Sequence, residues 1–577
     1  MDKFYKANLK IVSEQNKEVL PKPKQFKYLS FLLDLREKTI LKILIILLII
    51  SSIFFIYKGF TLLNEIPVNG GIYTEGVIGR IQYLNPVLES SNNIDIDIDS
   101  LIYPKLFRFN NRTLQNELVD SYTISDDKKT YDIKIKNNIY WDDGENLTAD
   151  DIIFTLNLIE NPSFRSPLYP DFKNVKIEKI SDYEFKLEIE KPYSSLISNL
   201  TFGILPKHIW EDINYIEFPL SEFNLKPIGA GPYKFKSISK SKEGLIRSYT
   251  LQRNDNYFGK KPYIDEITFK FVNDEDELMA NLQEKKIDGA NYISYNNTLS
   301  LKNKPYNFYH LYLPQYQALF INQNLNPLLK EKYIREAIYY GINKDEIIKN
   351  VYNGNAQKVE SPFLEGMPGF DPNFQNYQFN PQKAVELLET NGWKRNPETQ
   401  MMEKDGKQLS ISITAVANPD NEKYLSILQK QLNDLGINVD TELIDGKLIK
   451  DDIIKPRNYD LLLYGELLGN DSDIYAFWHS SQADNPGLNL AQYKNSDVDK
   501  TIEQARETLD PEEKQKLYST IAQKIKDDVP AIFLINPSYT YTLSDKIKGF
   551  KSQNLISPSD RFENISDWYI KTRKKIF

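Results

Sequence analysis

YTISDDKKTYDIKIKNNIYWDDGENLTADDIIFT, residues Tyr122–Thr155, passes in one stretch from apolar–polar alternation to a glycine turn and then to a helix start. Within it, TYDIKIKNNIY (Thr130–Tyr140) alternates with period two, so an extended strand here buries one face and wets the other. Asp143-Gly144 makes a tight turn because glycine tolerates a positive φ. Thr148 is a good N-cap, and Asp150 and Asp151 fall in the first turn, where the helix dipole favours acids. Trp141 stands at the strand end, placed to cover the N-terminus of that helix. KNVKIEKISDYEFKLEIE (Lys173–Glu190) alternates in the same way around a turn, which predicts half-buried antiparallel strands beside the helix.

Upstream, GGIYTEGV reads as a strand opening a domain. DIDIDS (Asp95–Ser100) alternates strictly and is expected as a solvated segment. A Ca²⁺ site would need ligands at differing offsets and a glycine turn, and neither is present in the sequence. Downstream of about residue 265 the pattern changes to strands near 409–416, 437–444 and 459–464 between amphipathic helices near 330–350, 381–392, 421–435 and 496–526. That alternation is an α/β pattern. The glycines of GAGPY, Gly229 and Gly231, are expected around a sharp reversal, with Pro232 restricting entry to the next strand.

These stretches and their neighbours together resemble one family, the extracytoplasmic solute-binding proteins of ABC importers of the oligopeptide- and dipeptide-binding type (family 5). In chain order the matching pieces are YLNP (Tyr83–Pro86), LIYPKLFRF (Leu101–Phe109), the opening stretch, PIGAGPYKF (Pro227–Phe235), RNDNYFGKKPYIDEITFKF (Arg253–Phe271), KIDGA (Lys286–Ala290), IREAIYYGINKDEII (Ile334–Ile348), FNPQKAVELLETNGW (Phe379–Trp393), NYDLLLYG (Asn458–Gly465) and DDVPAIFLI (Asp527–Ile535). Most of these motifs build scaffold rather than touch ligand.

The resemblance implies an α/β, two-lobed periplasmic-binding-protein-like fold of type II with an extra small domain. Residues 70–100 with 222–312 and 529–577 form lobe I, 101–221 the extra domain, and 313–528 lobe II. Ligand would sit between the lobes. Tyr83 and Asn85 of YLNP are expected near the floor of the cleft, and Tyr316 on the strand that lines it from the other lobe. Peptide-binding members often meet the ligand's α-ammonium with an Asp in an aromatic-Asp-x-Asp-Pro-like segment. Here that segment is YGELLGNDSDIYAFW (Tyr464–Trp478), so Asp471 and Asp473 are the candidates. Glu466 and Leu467 stand where an aromatic is usual and Ile474 where Pro is usual, and capping of a helix is an equal reading of both acids.

Composition narrows the chemistry. The 577-residue chain has no cysteine and three histidines far apart in sequence, so thiolate chemistry is excluded and a histidine metal site or a Ser-His-Asp triad has little material. The acid pairs Asp142/Asp143 and Asp150/Asp151 are explained by turn and cap roles, so no enzyme and no cofactor is expected. Residues 1–65 hold 11 basic and 6 acidic side chains, net +5, against −8 for the whole chain, which leaves the body at −13. A body of that sign argues against nucleic acid as a partner.

Ile43–Tyr57, ILIILLIISSIFFIY, is the long uncharged apolar run. Extended to Ile40 it spans roughly 27 Å as a helix, enough for a bilayer core. Ten Lys or Arg against five acids precede it in residues 1–42. The positive-inside rule then places a basic leader (1–39) in the cytoplasm, an uncleaved signal anchor at 40–57, a linker at 58–69, and the body outside the cell membrane. The expected function is a membrane-anchored receptor that captures peptides by lobe closure and delivers them to ABC permease subunits. The alternatives are a sensory receptor signalling through the leader, and a receptor for another solute such as an oligosaccharide or a metal chelate.

Overall fold

The computed structural model describes residues 27–28, 31, 33–61, 64–88, 92–469 and 471–575. It divides into two compact units, Met1–Val68 with Lys571–Phe577, and Asn69–Ile570. Most of the basic leader expected over 1–39 lies outside the described residues.

In the first unit Leu35–Thr61 is one helix of 27 residues that carries the apolar run. Large apolar side chains from Ile43 to Phe54 are exposed along it. Side-chain exposure is described in this helix only as far as Phe54, short of the end of the run at Tyr57. Among the described residues, no helix is long and apolar enough to cross a membrane. Asn64–Val68 pairs antiparallel with Lys571–Lys575.

The second unit is built on two large sheets. The seven-stranded sheet runs in the order Tyr306–Leu311, Tyr539–Ser544, Gly289–Ala290, Ile72–Ile78, Glu266–Val272, Ile246–Arg253, Tyr233–Lys240. The six-stranded sheet runs Ala356–Lys358, Ala531–Pro537, Gln315–Ile321, Leu461–Leu467, Ser410–Val416, Asn438–Ile444. Period-two geometry explains why the central strands of the latter carry apolar residues on both faces over most of their length. Leu319, Leu461, Leu463, Ile532 and Leu534 enter one core, while Ala318, Phe320, Leu462 and Phe533 enter the core on the opposite face.

The opening stretch folds as its pattern predicts. Val119–Ile124, Thr130–Ile135, Glu184–Glu188 and Lys176–Ser181 form a four-stranded antiparallel sheet beside the helix Ala149–Glu160. Thr148 and Asp151 make a reciprocal capping box, with the Thr148 amide donating to the Asp151 carboxylate at 2.8 Å. Gly144 has φ of 101° in the expected turn, and Trp141 is fully buried.

One expectation needs correction. DIDIDS is not solvated: Asn93–Ile102 is an α-helix capped by Asn92, and Asp95, Asp97 and Asp99 are buried. Ile94, Ile98, Leu101 and Ile102 share the i, i+4, i+7, i+8 face that enters the core, so helical spacing overrides the period of two. Asp95 accepts from the amides of Gln82 and Tyr83 at 2.9 and 3.0 Å. Asp97 receives both terminal nitrogens of Arg561, at 2.6 and 2.5 Å, and Arg561 also meets Glu75 at 3.0 Å. All three side chains of that network are inaccessible to water.

Gly229 and Gly231 take no positive φ. Their role is close approach: an added Cβ would fall 2.2 and 2.6 Å from the Ile102 carbonyl oxygen. The Gly231 amide donates to that oxygen at 2.7 Å, so these glycines let the chain close on the end of the Asn93–Ile102 helix.

Candidate functional site

The two sheets are joined by two neighbouring chain passages. Tyr306–Leu311 leads through 312–314 into Gln315–Ile321, and Ala531–Pro537 leads through Ser538 into Tyr539–Ser544. The incoming and outgoing strands pair on both sides, Leu311 opposite Tyr539 and Gln317 opposite Ile535. Parallel register then brings the carboxyl ends of Ile72–Ile78 and Gly289–Ala290 to this end of the first sheet. The carboxyl ends of Leu461–Leu467, Ser410–Val416 and Asn438–Ile444 reach the same end of the second. Open α/β sheets bind ligands beyond the carboxyl ends of their strands.

Some of the buried polar atoms without hydrogen-bond partners among the described residues lie at this end, and others lie elsewhere, as at Trp141 and Tyr424. Glu466, opposite Tyr316 in the register, is 3% exposed. The Tyr316 hydroxyl donates to one of its oxygens, and the other has no hydrogen-bond partner among the described residues. The Trp478 indole donates to the Tyr316 hydroxyl at 3.2 Å. Burial pushes the Glu466 carboxyl up to about 8, against the pull of the Tyr316 bond, so it holds its proton at neutral pH. Asn536 donates from Nδ2 to the Leu313 carbonyl at 3.0 Å, while its buried Oδ1 is unpartnered among the described residues.

The buried Tyr539 hydroxyl is unpartnered in the same sense. Its ring stacks on Tyr292, with centroids 4.6 Å apart. Tyr292 has φ of 56°, a left-handed conformation that costs a bulky residue about 1–3 kcal/mol. An unmade hydrogen bond on a buried group costs about 1–3 kcal/mol as well. Costs of both kinds occur at several places in the chain, and ligand sites are one setting that tolerates them.

The residues singled out from the sequence fall into three places. Tyr83 is 37% exposed on the segment that leaves the Ile72–Ile78 strand. Asn85 is fully buried in a turn, accepting from the Val87 amide at 3.0 Å and donating to Asn224 at 3.1 Å. Tyr316 is fully buried, edge-on to Phe533 and bonded to Glu466 as described. Asp471 and Asp473 lie together in the loop between Leu467 and the helical turn Tyr475–Trp478.

Each of these acids faces a cation of the chain, Asp471 with Lys514 at 3.5 Å and Asp473 with Arg506 at 2.9 Å. Asp473 also accepts from the Tyr475 amide at 3.1 Å, at the start of that helical turn. Burial raises the Asp473 carboxyl above its ordinary value, and Arg506 opposes the shift. Sequence reasoning noted Glu466 only as a departure and passed over Asn536, Tyr539 and Tyr292, which no local motif marks.

A separate cavity of about 440 Å³ lies between the Phe107–Asn116 hairpin and the segment 556–566, away from the strand ends. Lys105, Arg108, Glu117, Asp560 and Glu563 line it, and its size alone does not make it the site.

Comparison with known proteins bears on the fold and the family. Residues 113–487 match the model for bacterial extracellular solute-binding proteins, family 5 middle. The oligopeptide-binding protein AppA of Bacillus subtilis is 29% identical over 556 residues, covering 93% of this chain and 99% of the relative. The solved structure of AppA with a nonapeptide superposes with a TM-score of 0.65 at 27% identity, covering 88% of this chain and all of the other. NikZ of Campylobacter jejuni with Ni(L-His) gives a TM-score of 0.68 at 28% identity, covering 86% and 99%.

Proposed function

The chain belongs to family 5 of the bacterial extracellular solute-binding proteins, and from that membership we propose that it captures peptides between two lobes and hands them to an ABC permease. Proteins of this family are binding proteins, so the work is recognition without chemistry. The observation that carries the peptide reading is the likeness over nearly the whole chain to an oligopeptide-binding protein solved with a nonapeptide, and the polar atoms on Glu466, Asn536 and Tyr539 at the strand ends are compatible with it. A peptide backbone presents N–H and C=O groups at regular spacing. The protonated Glu466 carboxyl donates or accepts, Asn536 Oδ1 accepts, and the Tyr539 hydroxyl does either. Relatives named for oligopeptide binding support the same reading.

In this account lobe I comprises 70–100, 222–312 and 529–577, carries the extra domain 101–221, and closes on lobe II, 313–528, about the passages at 312–314 and 538. Tyr83 offers its exposed ring to the ligand, and Tyr316 holds Glu466 in place. Ligand contact with both lobes favours the closed state over the open one. The apolar run at 40–57, of which the structure describes side chains only to Phe54, is read from its sequence as the anchor, with the leader in the cytoplasm and the body outside, close to the permease, where tethering raises the rate of encounter.

Native mass spectrometry of the full-length chain in detergent, offered an equimolar mixture of short and long peptides, tests the proposal. Retained peptide masses are expected. Retention of Ni(L-His) or an oligosaccharide in preference to every peptide would replace the peptide reading with another solute.

A further inference from the structure

Within Asn69–Ile570 the body built on the seven-stranded sheet and the body built on the six-stranded sheet meet at a place distinct from the strand ends. Tyr193–Ser195 belongs to the body of the seven-stranded sheet, because Leu196 and Ile197 enter the core that also holds Tyr73 and Trp141. Opposite it lie Asp471, Asp473, Arg506 and Lys514, on the body whose core holds Tyr518 and Ile521. The Ser194 amide donates to the Arg506 carbonyl at 2.8 Å, and Lys514 Nζ donates to the Ser194 hydroxyl at 2.8 Å. Ser195, 3% exposed, donates its hydroxyl to the Asp471 carboxylate. The Arg506 guanidinium lies between the rings of Tyr193 and Tyr475, at 5.4 and 4.5 Å, while it pairs with Asp473.

A second tie lies nearer the passages. Arg112, at the tip of the hairpin Phe107–Asn110/Thr113–Asn116, donates to the carbonyls of Tyr312 and Leu555 at 3.2 Å each and to that of Glu365. It thereby joins one body, the passage, and the other body through a single guanidinium.

We infer that Tyr193–Ser195 and the groups facing it form a closure latch, which holds the two bodies together through the chain's own side chains and populates the closed state without ligand. Asp471 and Asp473 are positioning residues of this latch. Lys514 and Arg506 meet their charges, and the serine hydroxyl and the tyrosine ring reach them from the opposite body. Apparent affinity equals intrinsic affinity scaled by the fraction already closed, so the latch sets how much ligand binding is spent on closure. Loosening it weakens binding of any ligand by raising the off-rate. The latch stands on contacts alone and is independent of which solute the receptor carries.

Because the chain has no cysteine, spin labels can be placed on two introduced ones, Lys242→Cys and Glu398→Cys, both exposed and one on each body. The full-length chain in detergent, stripped of co-purified ligand and measured with none added, is expected to give one narrow distance population. In S195A/K514M a large part of that population is expected at a second, separate distance. The single variant S195A, which removes one hydroxyl, is expected to shift in the same direction by less, and it keeps the test valid if the double variant folds poorly. Distance distributions that coincide for the parent chain and S195A/K514M, or S195A alone where the double variant is unfolded, would overturn the latch. No peptide enters the measurement, so its outcome is separate from that of the peptide reading.

Discussion

Lys514 Nζ lies 2.8 Å from the Ser194 hydroxyl, and each residue belongs to a body with its own hydrophobic core. A lysine that is 12% exposed and shared between a serine and an aspartate of opposite bodies is a contact made only when the two are close. Few such contacts are needed, because closure in a hinged receptor is decided by a few kcal/mol. The site at the strand ends and the latch therefore divide the work. In the proposed function the first offers unpartnered polar atoms to a ligand, and the second fixes the geometry in which they are offered.

Glu466→Gln should separate from the parent chain in a pH-dependent way. The folded-state carboxyl is raised to about 8 from an ordinary value near 4.5. Between those two values the folded chain keeps a proton that the unfolded chain has lost, so raising the pH lowers stability through that window and the loss levels off above about 8. The variant does not titrate there. Its melting temperature relative to the parent is expected to rise from about pH 4.5 to about pH 8 and then to level off, and a constant difference would contradict the buried, protonated carboxyl.

Arg561→Met should be among the most destabilising single changes. It leaves Glu75 and Asp97 in a water-free core with their counter-charge removed. Loss of one partner from a buried ionic network costs about 3–5 kcal/mol. Urea unfolding measures it, and restoring part of the loss with Asp97→Asn in the same chain would locate the cost in the stranded carboxylate.

Thr148→Ala removes one half of the capping box on the Ala149–Glu160 helix. A loss of about 1 kcal/mol is expected from urea unfolding. Asp150→Ala, which leaves the box intact, should cost less.

Tyr539→Phe deletes only a hydroxyl that has no partner among the described residues. The unliganded protein is expected to be as stable as the parent or slightly more so, since an unmet polar group leaves the interior. Peptide affinity measured by calorimetry is expected to fall about tenfold, as for the loss of one ligand hydrogen bond of about 1.4 kcal/mol. A variant with full affinity would remove Tyr539 from the site.

What the sequence made legible was local. The strand–turn–helix of Tyr122–Thr155 could be read because its alternation, its glycine and its cap act within a few residues of each other. DIDIDS satisfies a period of two and a helical period at once, and what buries its acids, Arg561 on Asp97 among them, comes from the far end of the chain. Asp471 and Asp473 were visible as acids beside a helix, but Lys514, Arg506 and Ser195 arrive from other elements and give the pair its surroundings. Tyr539 and Asn536 carry no motif. They stand out only once the passage between the sheets is formed and their polar atoms are left without partners.

The central claim is that peptide binding closes the two bodies around the strand ends. Isothermal titration of the full-length chain in detergent with a set of nonapeptides, run beside Ni(L-His) and an oligosaccharide, tests it most directly. Saturable binding of peptides with a negative heat-capacity change, and none of the other two solutes, is the predicted result. Absence of peptide binding together with saturable uptake of either other solute would contradict it.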